Sequence, residues 1–444
     1  MRDVQSVIPS HKEPAKVLKP FARQAPRISD TEREALAAGT VWIEGEFFSG
    51  RPDFRRILSE AYPGLSEREQ AFLDGPMEKV CRMVDPWQVR SRRELPREVW
   101  DFLKKQGFFG LRIPRRYGGL GFSNLAASAT FGKLVSRSSY LSTVVLIPNS
   151  VGPAELLLDY GTREQKDYFL PRLASGEEIP CFALTEPEAG SDAAALTSEG
   201  VVFRCLDGRL MLRLTWQKRY ITLAPVATLI GLAFRLKDPE DLLGRGKDPG
   251  ITCALVPVST PGMEIGNHHD PMGLAFPNGP TSGHNVEIPL EAIIGGTDGI
   301  GKGWRMLMEA LSGGRAVSLP AQAAAGVKWT ARVAGAYSVV RRQFGSEIGR
   351  FEGVQEPLAR IAGGAYLLEA ARVFTCGAVD REERPSVASA LIKYNATEIA
   401  RRVLADGMDV LGGAGVSHGP HNLLADGYVG APIGITVEGA NILT

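Results

Sequence analysis

Several things are scarce in this chain. Its 444 residues include five cysteines, at positions 81, 181, 205, 253 and 376. Their number is odd, their spacing is wide and no Cys-x-x-Cys pair occurs, which argues against a disulfide framework or a cysteine-based zinc site and fits a reducing compartment. Histidine is nearly as rare, with six residues. The close pairs His268-His269 and His418/His421 have neither a third ligand nor i,i+4 spacing, so no metal centre is expected. Net charge is almost absent: 51 Lys and Arg face 50 Asp and Glu, leaving no overall field to draw the chain to nucleic acid or anionic lipid. No transmembrane segment is expected either, since a span needs about 20 apolar residues. The longest near-continuous apolar run, residues 221–234, contains Pro225 and reads as a buried strand pair. The N-terminus carries Arg2, Asp3 and Pro9 where a secretory signal needs an apolar core. The expected location is cytoplasmic, at most peripheral to the inner membrane.

What is present supports an α+β multidomain chain. At this length roughly three domains can each bury a core. Residues 1–75 read as a Pro- and charge-rich arm with short helices. Residues 76–180 read as an N-terminal α-helical domain, in which Val99, Phe102 and Leu103 share a face before Gly107 breaks the pattern. Over residues 181–298 the texture changes to short β-branched runs divided by Gly, Pro and Asn, the pattern of a small antiparallel β-barrel or sandwich. Residues 299–444 read as an α-helical bundle, with Val333, Tyr337, Val340 and Phe344, and then Leu358, Ile361, Ala365 and Leu368, at helical intervals.

Two phosphate-loop lookalikes fall away. The stretch Gly296-Thr297-Asp298-Gly299-Ile300-Gly301-Lys302 has Gly303 where a Mg²⁺-binding hydroxyl should follow, and reads as a turn into the bundle. Gly412-Gly413-Ala414-Gly415 follows a helix rather than a strand, so it is not a dinucleotide fingerprint. More telling is Leu184-Thr185-Glu186-Pro187-Glu188-Ala189-Gly190-Ser191-Asp192, where an apolar strand opens into a loop of hydroxyls and small residues that could hold a flat polar ring and a phosphate. The competing reading makes Ser191 or Asp192 the cap of a short helix. About 35 residues on, Trp216-Gln217-Lys218-Arg219-Tyr220-Ile221-Thr222 again ends an apolar run in a hydroxyl.

This pair of segments, together with Arg341-Arg342-Gln343-Phe344-Gly345, Phe351-Glu352-Gly353-Val354-Gln355, Leu411-Gly412-Gly413-Ala414-Gly415 and Pro432-Ile433-Gly434-Ile435-Thr436-Val437-Glu438-Gly439, resembles the acyl-CoA dehydrogenase family. The phrases around Trp42 and Arg51 and the final Val437-Glu438-Gly439-Ala440-Asn441-Ile442-Leu443-Thr444 are most similar to the large bacterial fatty-acyl-CoA dehydrogenases of β-oxidation. The resemblance implies FAD as cofactor and oxidation of medium- to long-chain acyl-CoA to trans-2-enoyl-CoA. It also implies electron-transfer flavoprotein as acceptor and a homodimer or higher homo-oligomer. A turnover-free paralogue that binds acyl-CoA or a partner, and an acyl-CoA oxidase that passes electrons to oxygen, are the alternatives.

Such a reaction needs a base for the α-proton whose pKa is lifted by burial. Glu438, set among Ile433, Ile435 and Val437 and followed by Gly439, is the candidate. By resemblance Thr185 and Thr222 contact the flavin, Tyr220 stacks where relatives have Trp, and Ser191 reaches a phosphate or the substrate. Arg341 and Phe344 would hold the FAD of a neighbouring subunit, against the alternative of a solvated Arg341-Arg342 pair. Gly412 and Gly413 belong to a cofactor signature, and Glu352 and Asp409 stand where many relatives have Gln. Arg315 and Gly439 would lie on the substrate side. Relatives continue beyond the position of Thr444, so the C-terminal bundle is expected to be incomplete and less stable and less active than an extended chain.

Overall fold

The computed structural model describes residues 39–60, 62–150 and 152–443, together with Arg33 and Ala37. Most of the arm expected before residue 39 lies outside the described residues, as does Thr444. The described part of the arm contains the short helices Glu44–Phe48 and Phe54–Ser59. It is tied down by Trp42, which packs on Phe374 with 4.9 Å between ring centroids.

Eight principal helices follow: α1 Glu67–Phe72, α2 Glu78–Met83, α3 Pro86–Arg92, α4 Arg97–Lys105, α5 Asn124–Val135, α6 Ser139–Leu146, α7 Pro153–Tyr160 and α8 Arg163–Ser175. Their starts are written locally. Ser66 and Glu69 form a capping box on α1, Thr162 and Gln165 another on α8, and Asp85 caps α3 ahead of a proline at its first position. Val99 and Leu103 are buried on α4, which ends before Gly107 in a left-handed conformation. The passage Ser139–Tyr160 has the length and mean hydropathy of a membrane span, 22 residues and 1.4. Of its most apolar window, 82% is buried inside the protein, as expected of core helices.

The middle of the chain is a seven-stranded sheet: β1 Pro180–Ala183, β2 Glu199–Arg204, β3 Leu210–Thr222, β4 Leu229–Lys237, β5 Gly250–Pro257, β6 Met263–Ile265 and β7 Asn278–Pro289. Most pairings are antiparallel, but β4 pairs in parallel with both β1 and β2. Alternating polarity along a strand does not reveal its neighbour's direction, so these two pairings are not legible in the sequence. The glycine-lysine stretch at 296–302 forms a 3-10 turn, Gly296–Gly299, on the way to the bundle.

The bundle consists of α9 Gly303–Val340, α10 Glu352–Asp380, α11 Ser386–Leu411 and α12 Ala425–Thr436. The helix–sheet–helix order is the one expected. The apolar series through Phe344 is cut short, however: α9 ends at Val340, and a small hairpin, β8 Arg342–Gln343 and β9 Ser346–Glu347, carries Phe344 at its tip, 97% exposed. Helix α9 contributes to every apolar core. Met306 and Leu307 pack under the sheet, Ala316, Val317 and Ala321 meet the first helices, and Ala324 and Val327 pack within the bundle. A second tie between first domain and bundle is Asp380, at the end of α10, whose carboxylate accepts from the backbone N–H of Asn124 (2.6 Å) and Leu125 (3.3 Å) at the start of α5.

Candidate active site

The first wall is made by the sheet. Strand β1 ends at Ala183, and the loop that follows runs beside β3, where Arg219 N–H donates to the Thr185 carbonyl at 3.0 Å. The β3–β7 register slips between Lys218 and Ile221, and Tyr220 sits in that irregularity with φ +59°. Bulges of this kind re-aim a side chain. Tyr220 leaves the sheet, its ring 5.0 Å from that of His269, while Thr222 at the strand end accepts from Asn278 Nδ2 at 3.2 Å.

A buried ion pair locks the loop to the strand. Lys218 Nζ lies 2.7 Å from Glu186 Oε1, and both side chains are almost wholly shut from solvent. Lys218 also donates to the Leu184 carbonyl, and Glu186 accepts from the backbone of Thr197 and Ser198. Burial alone would raise the Glu186 carboxyl, but donors from Lys218, Ser198 and Thr197 outweigh it and hold the group at about 2.

The second wall is helical. A cavity of about 860 Å³ opens where the three parts of the chain meet. Thr185, Tyr220 and Thr222 line it from the sheet, Leu146 from α6, Gln322 from α9, and Ile433 and Glu438 from α12 and the residues after it. Junctions between domains are common places for ligand sites of this size.

Glu438 has φ +55° and Gly439 φ +94°, so two successive residues take the left-handed conformation. The Glu438 carbonyl accepts from Arg315 Nε at 2.7 Å, while its carboxylate Oε2 is buried without a hydrogen-bond partner. Gly314 makes the space: a β-carbon there would stand 3.2 Å from Oε2. Burial is the main cause that pushes the carboxyl up to about 7, and Arg315 and Lys393 act in the opposite direction. An unpartnered carboxylate titrating near neutrality in a cavity has the properties of a general base.

The other sequence-marked residues are placed variously. Arg315 and Gly439 lie against the Glu438 turn. Ser191 is exposed just before the short 3-10 turn Ala193–Ala195, at whose start Asp192 makes no side-chain cap hydrogen bond. Arg341 ends α9, Phe344 tips the hairpin and Glu352 opens α10. Asp409 is exposed near the end of α11, and Gly412 and Gly413 follow that helix. None of these lines the cavity.

Sequence reasoning missed Lys218, Gly314 and Lys393. A signal existed for two of them. Lys218 continues the inward series Leu212, Leu214, Trp216 on β3, and Lys393 falls on the buried face of α11 with Ser389, Ala396 and Ala400.

Three family models match the chain: the N-terminal domain of acyl-CoA dehydrogenase over residues 66–177, its middle domain over 181–286 and its C-terminal domain over 301–442. Among curated relatives, a probable acyl-CoA dehydrogenase of Mycobacterium tuberculosis is 31% identical over 375 residues, which cover 83% of this chain and 55% of the relative. A 3-(aryl)acrylate reductase of Clostridium sporogenes is 32% identical over 369 residues, covering 81% of this chain and 90% of that protein. The chain thus spans about half the length of the mycobacterial relative. Among solved structures, an acyl-CoA dehydrogenase from Geobacillus kaustophilus superposes with a TM-score of 0.76 at 26% identity, covering 86% of this chain and 97% of the other. A glutaryl-coenzyme A dehydrogenase in its glutaryl-CoA complex gives 0.74 at 28%, with coverages of 86% and 94%.

Proposed function

Because this chain belongs to the acyl-CoA dehydrogenase family, we propose that it removes one hydrogen each from the α and β carbons of a fatty acyl-CoA, with FAD as the oxidant. The observation that carries the reading is the Glu438 carboxylate, whose Oε2 is buried without a hydrogen-bond partner in the cavity that Thr185, Tyr220 and Thr222 also line. The cavity walls fit a flavin: hydroxyls at Thr185 and Thr222 and the re-aimed ring of Tyr220 surround space at the sheet edge. When bound there, FAD supplies the hydride acceptor that no side chain can provide.

Glu438 takes the α-proton. Its ionised form is needed, so kcat/KM rises with pH through about 7. The thioester oxygen would be polarised by a backbone N–H near Glu438 and, when the cofactor is bound, by its hydroxyl, an oxyanion-hole arrangement that stabilises the charge left by the departing proton. Ser191, Glu352, Asp409, Gly412 and Gly413 serve the cofactor's phosphate and adenosine parts. Arg341 and the exposed Phe344 reach the FAD of a second subunit, which makes the working unit at least a homodimer. By family resemblance the acyl group is of medium to long chain, and electron-transfer flavoprotein is the acceptor. The identity with a 3-(aryl)acrylate reductase over most of its length adds arylpropionyl thioesters to the series worth testing.

The decisive experiment is an anaerobic titration of the FAD-loaded protein with acyl-CoAs of increasing length and with an arylpropionyl-CoA, followed by flavin absorbance. Bleaching by acyl-CoA, and its loss in Glu438→Gln by the 10²–10⁴-fold typical of general-base removal, is the expected result. A folded protein that fails to take up FAD, or a Glu438→Gln variant that bleaches at the wild-type rate, would overturn the reading.

A further inference from the structure

The Glu438–Gly439 turn is held in a conformation that only glycine adopts freely, and the glutamate has no glycine's freedom. Such a backbone persists where its surroundings over-determine it. From α9, Arg315 holds the Glu438 carbonyl. From α11 comes Lys393, whose side chain is almost completely buried. Its Nζ donates to the Gly439 carbonyl at 2.6 Å, to Asn441 Oδ1 at 2.8 Å and, at the long limit, to the Ile435 carbonyl at 3.5 Å. Three donors thus meet three acceptors, all on the segment that carries Glu438.

Asn441 extends the strap. Its Nδ2 donates back to α11, to Thr397 Oγ1 at 2.9 Å and Glu398 Oε1 at 3.1 Å, while its backbone N–H closes onto the Ile435 carbonyl at 2.9 Å. A buried lysine that spends all its donors on one turn serves that turn.

We propose that Lys393 is a positioning residue for Glu438, strapping the turn after α12 to α11 so that the carboxylate points into the cavity. The proposal rests on the reading of Glu438 as the base. The charges facing that carboxylate are Arg315 on α9 and Lys393 on α11; those facing Lys393 are Glu438, Arg315 and Glu398. Removing the lysine therefore leaves Arg315 alone to favour the ionised carboxylate, which should become harder to deprotonate.

The test compares Lys393→Met and Lys393→Arg in the FAD-loaded enzyme. Two quantities are read: kcat/KM against pH, and the pH at which the Glu438 carboxyl band ionises in infrared difference spectra referenced to Glu438→Gln. For Lys393→Met we expect kcat to fall about tenfold or more, because a small misplacement of a reacting group is costly, and the acidic limb and carboxyl band to move up by about one pH unit. Lys393→Arg should return the limb to its wild-type position. A Lys393→Met variant that melts earlier but keeps both the limb and the band would make the lysine merely structural and overturn the proposal. Should that variant not fold, Asn441→Ala keeps the charge and cuts the bridge: a lower kcat with an unmoved limb supports the strap, and wild-type kcat refutes it. If Glu438→Gln itself turns over normally, the base assignment has failed; if it is inactive while Lys393→Met titrates like wild type, only the role of Lys393 has.

Discussion

Glu438 is a carboxylate whose neutral form the fold prefers. Its folded value of about 7 stands above an ordinary 4.5, so between those limits the folded chain binds a proton that the unfolded chain has released. Stability from this group is therefore full below about pH 4.5 and is lost as pH rises toward 7; above that the penalty is constant, on the order of 3 kcal/mol. Glu438→Gln removes the titration while keeping the shape. We expect it to be more stable than wild type by roughly that amount at pH 8 and to converge with it near pH 5, as measured by denaturant unfolding at the two pH values. Equal stability of the pair at both pH values would mean that water reaches the carboxylate. If Glu438 is the proposed base, its activity demands the less stable ionised form, a usual trade between stability and function.

Among elements, strand β3 does the most to build the site, because one strand supplies both an anchor and a re-aimed ring. Lys218 points inward and Tyr220, two residues on, turns out of the sheet through the register slip. Breaking a buried ion pair by removing one partner typically costs about 3–5 kcal/mol, since the other charge is left without compensation. Lys218→Met is accordingly expected to lose that much in urea unfolding and to retain FAD poorly, because the loop bearing Thr185 is no longer tied to the strand. Tight flavin retention with unchanged stability would show that the Thr185 carbonyl contact with Arg219 suffices alone.

This element also shows where the sequence was readable. The hydroxyls at Thr185 and Thr222 and the carboxylate of Glu438 stood out because they end apolar runs, which is a local property. The parallel pairings of β4, the inward lysines and the hairpin at Phe344 depend on which segment lies opposite, information that a single strand or helix does not carry. Even so, a lysine in an alternating apolar series, as at Lys218, or on an apolar helix face, as at Lys393, breaks the local pattern and marks a buried charge that must have a partner.

For the whole molecule, the sequence divides into three textures, but the structure does not keep them mechanically separate. Helix α9 runs for 38 residues, about 57 Å at 1.5 Å per residue, from beneath the sheet to the far end of the bundle, and places side chains in every apolar core. Asp380 adds a hydrogen-bonded tie between bundle and first domain. Units that share a rigid member cannot melt independently, because losing any one core exposes a stretch of that member in all of them. Differential scanning calorimetry is expected to give one endotherm whose van't Hoff and calorimetric enthalpies agree; resolved peaks would contradict it.

The long helix has a further consequence for how turnover and breathing are related. Gly314 and Arg315, which make room for and hold the Glu438 turn, are residues of α9 itself, so any opening that frays this helix also releases the Glu438 carboxylate. Amide hydrogens near Gly314 should then exchange with solvent no faster than those at Val327, deep in the bundle, and the proposed bleaching of bound flavin by acyl-CoA should be lost at the same denaturant concentration as the last protected amides.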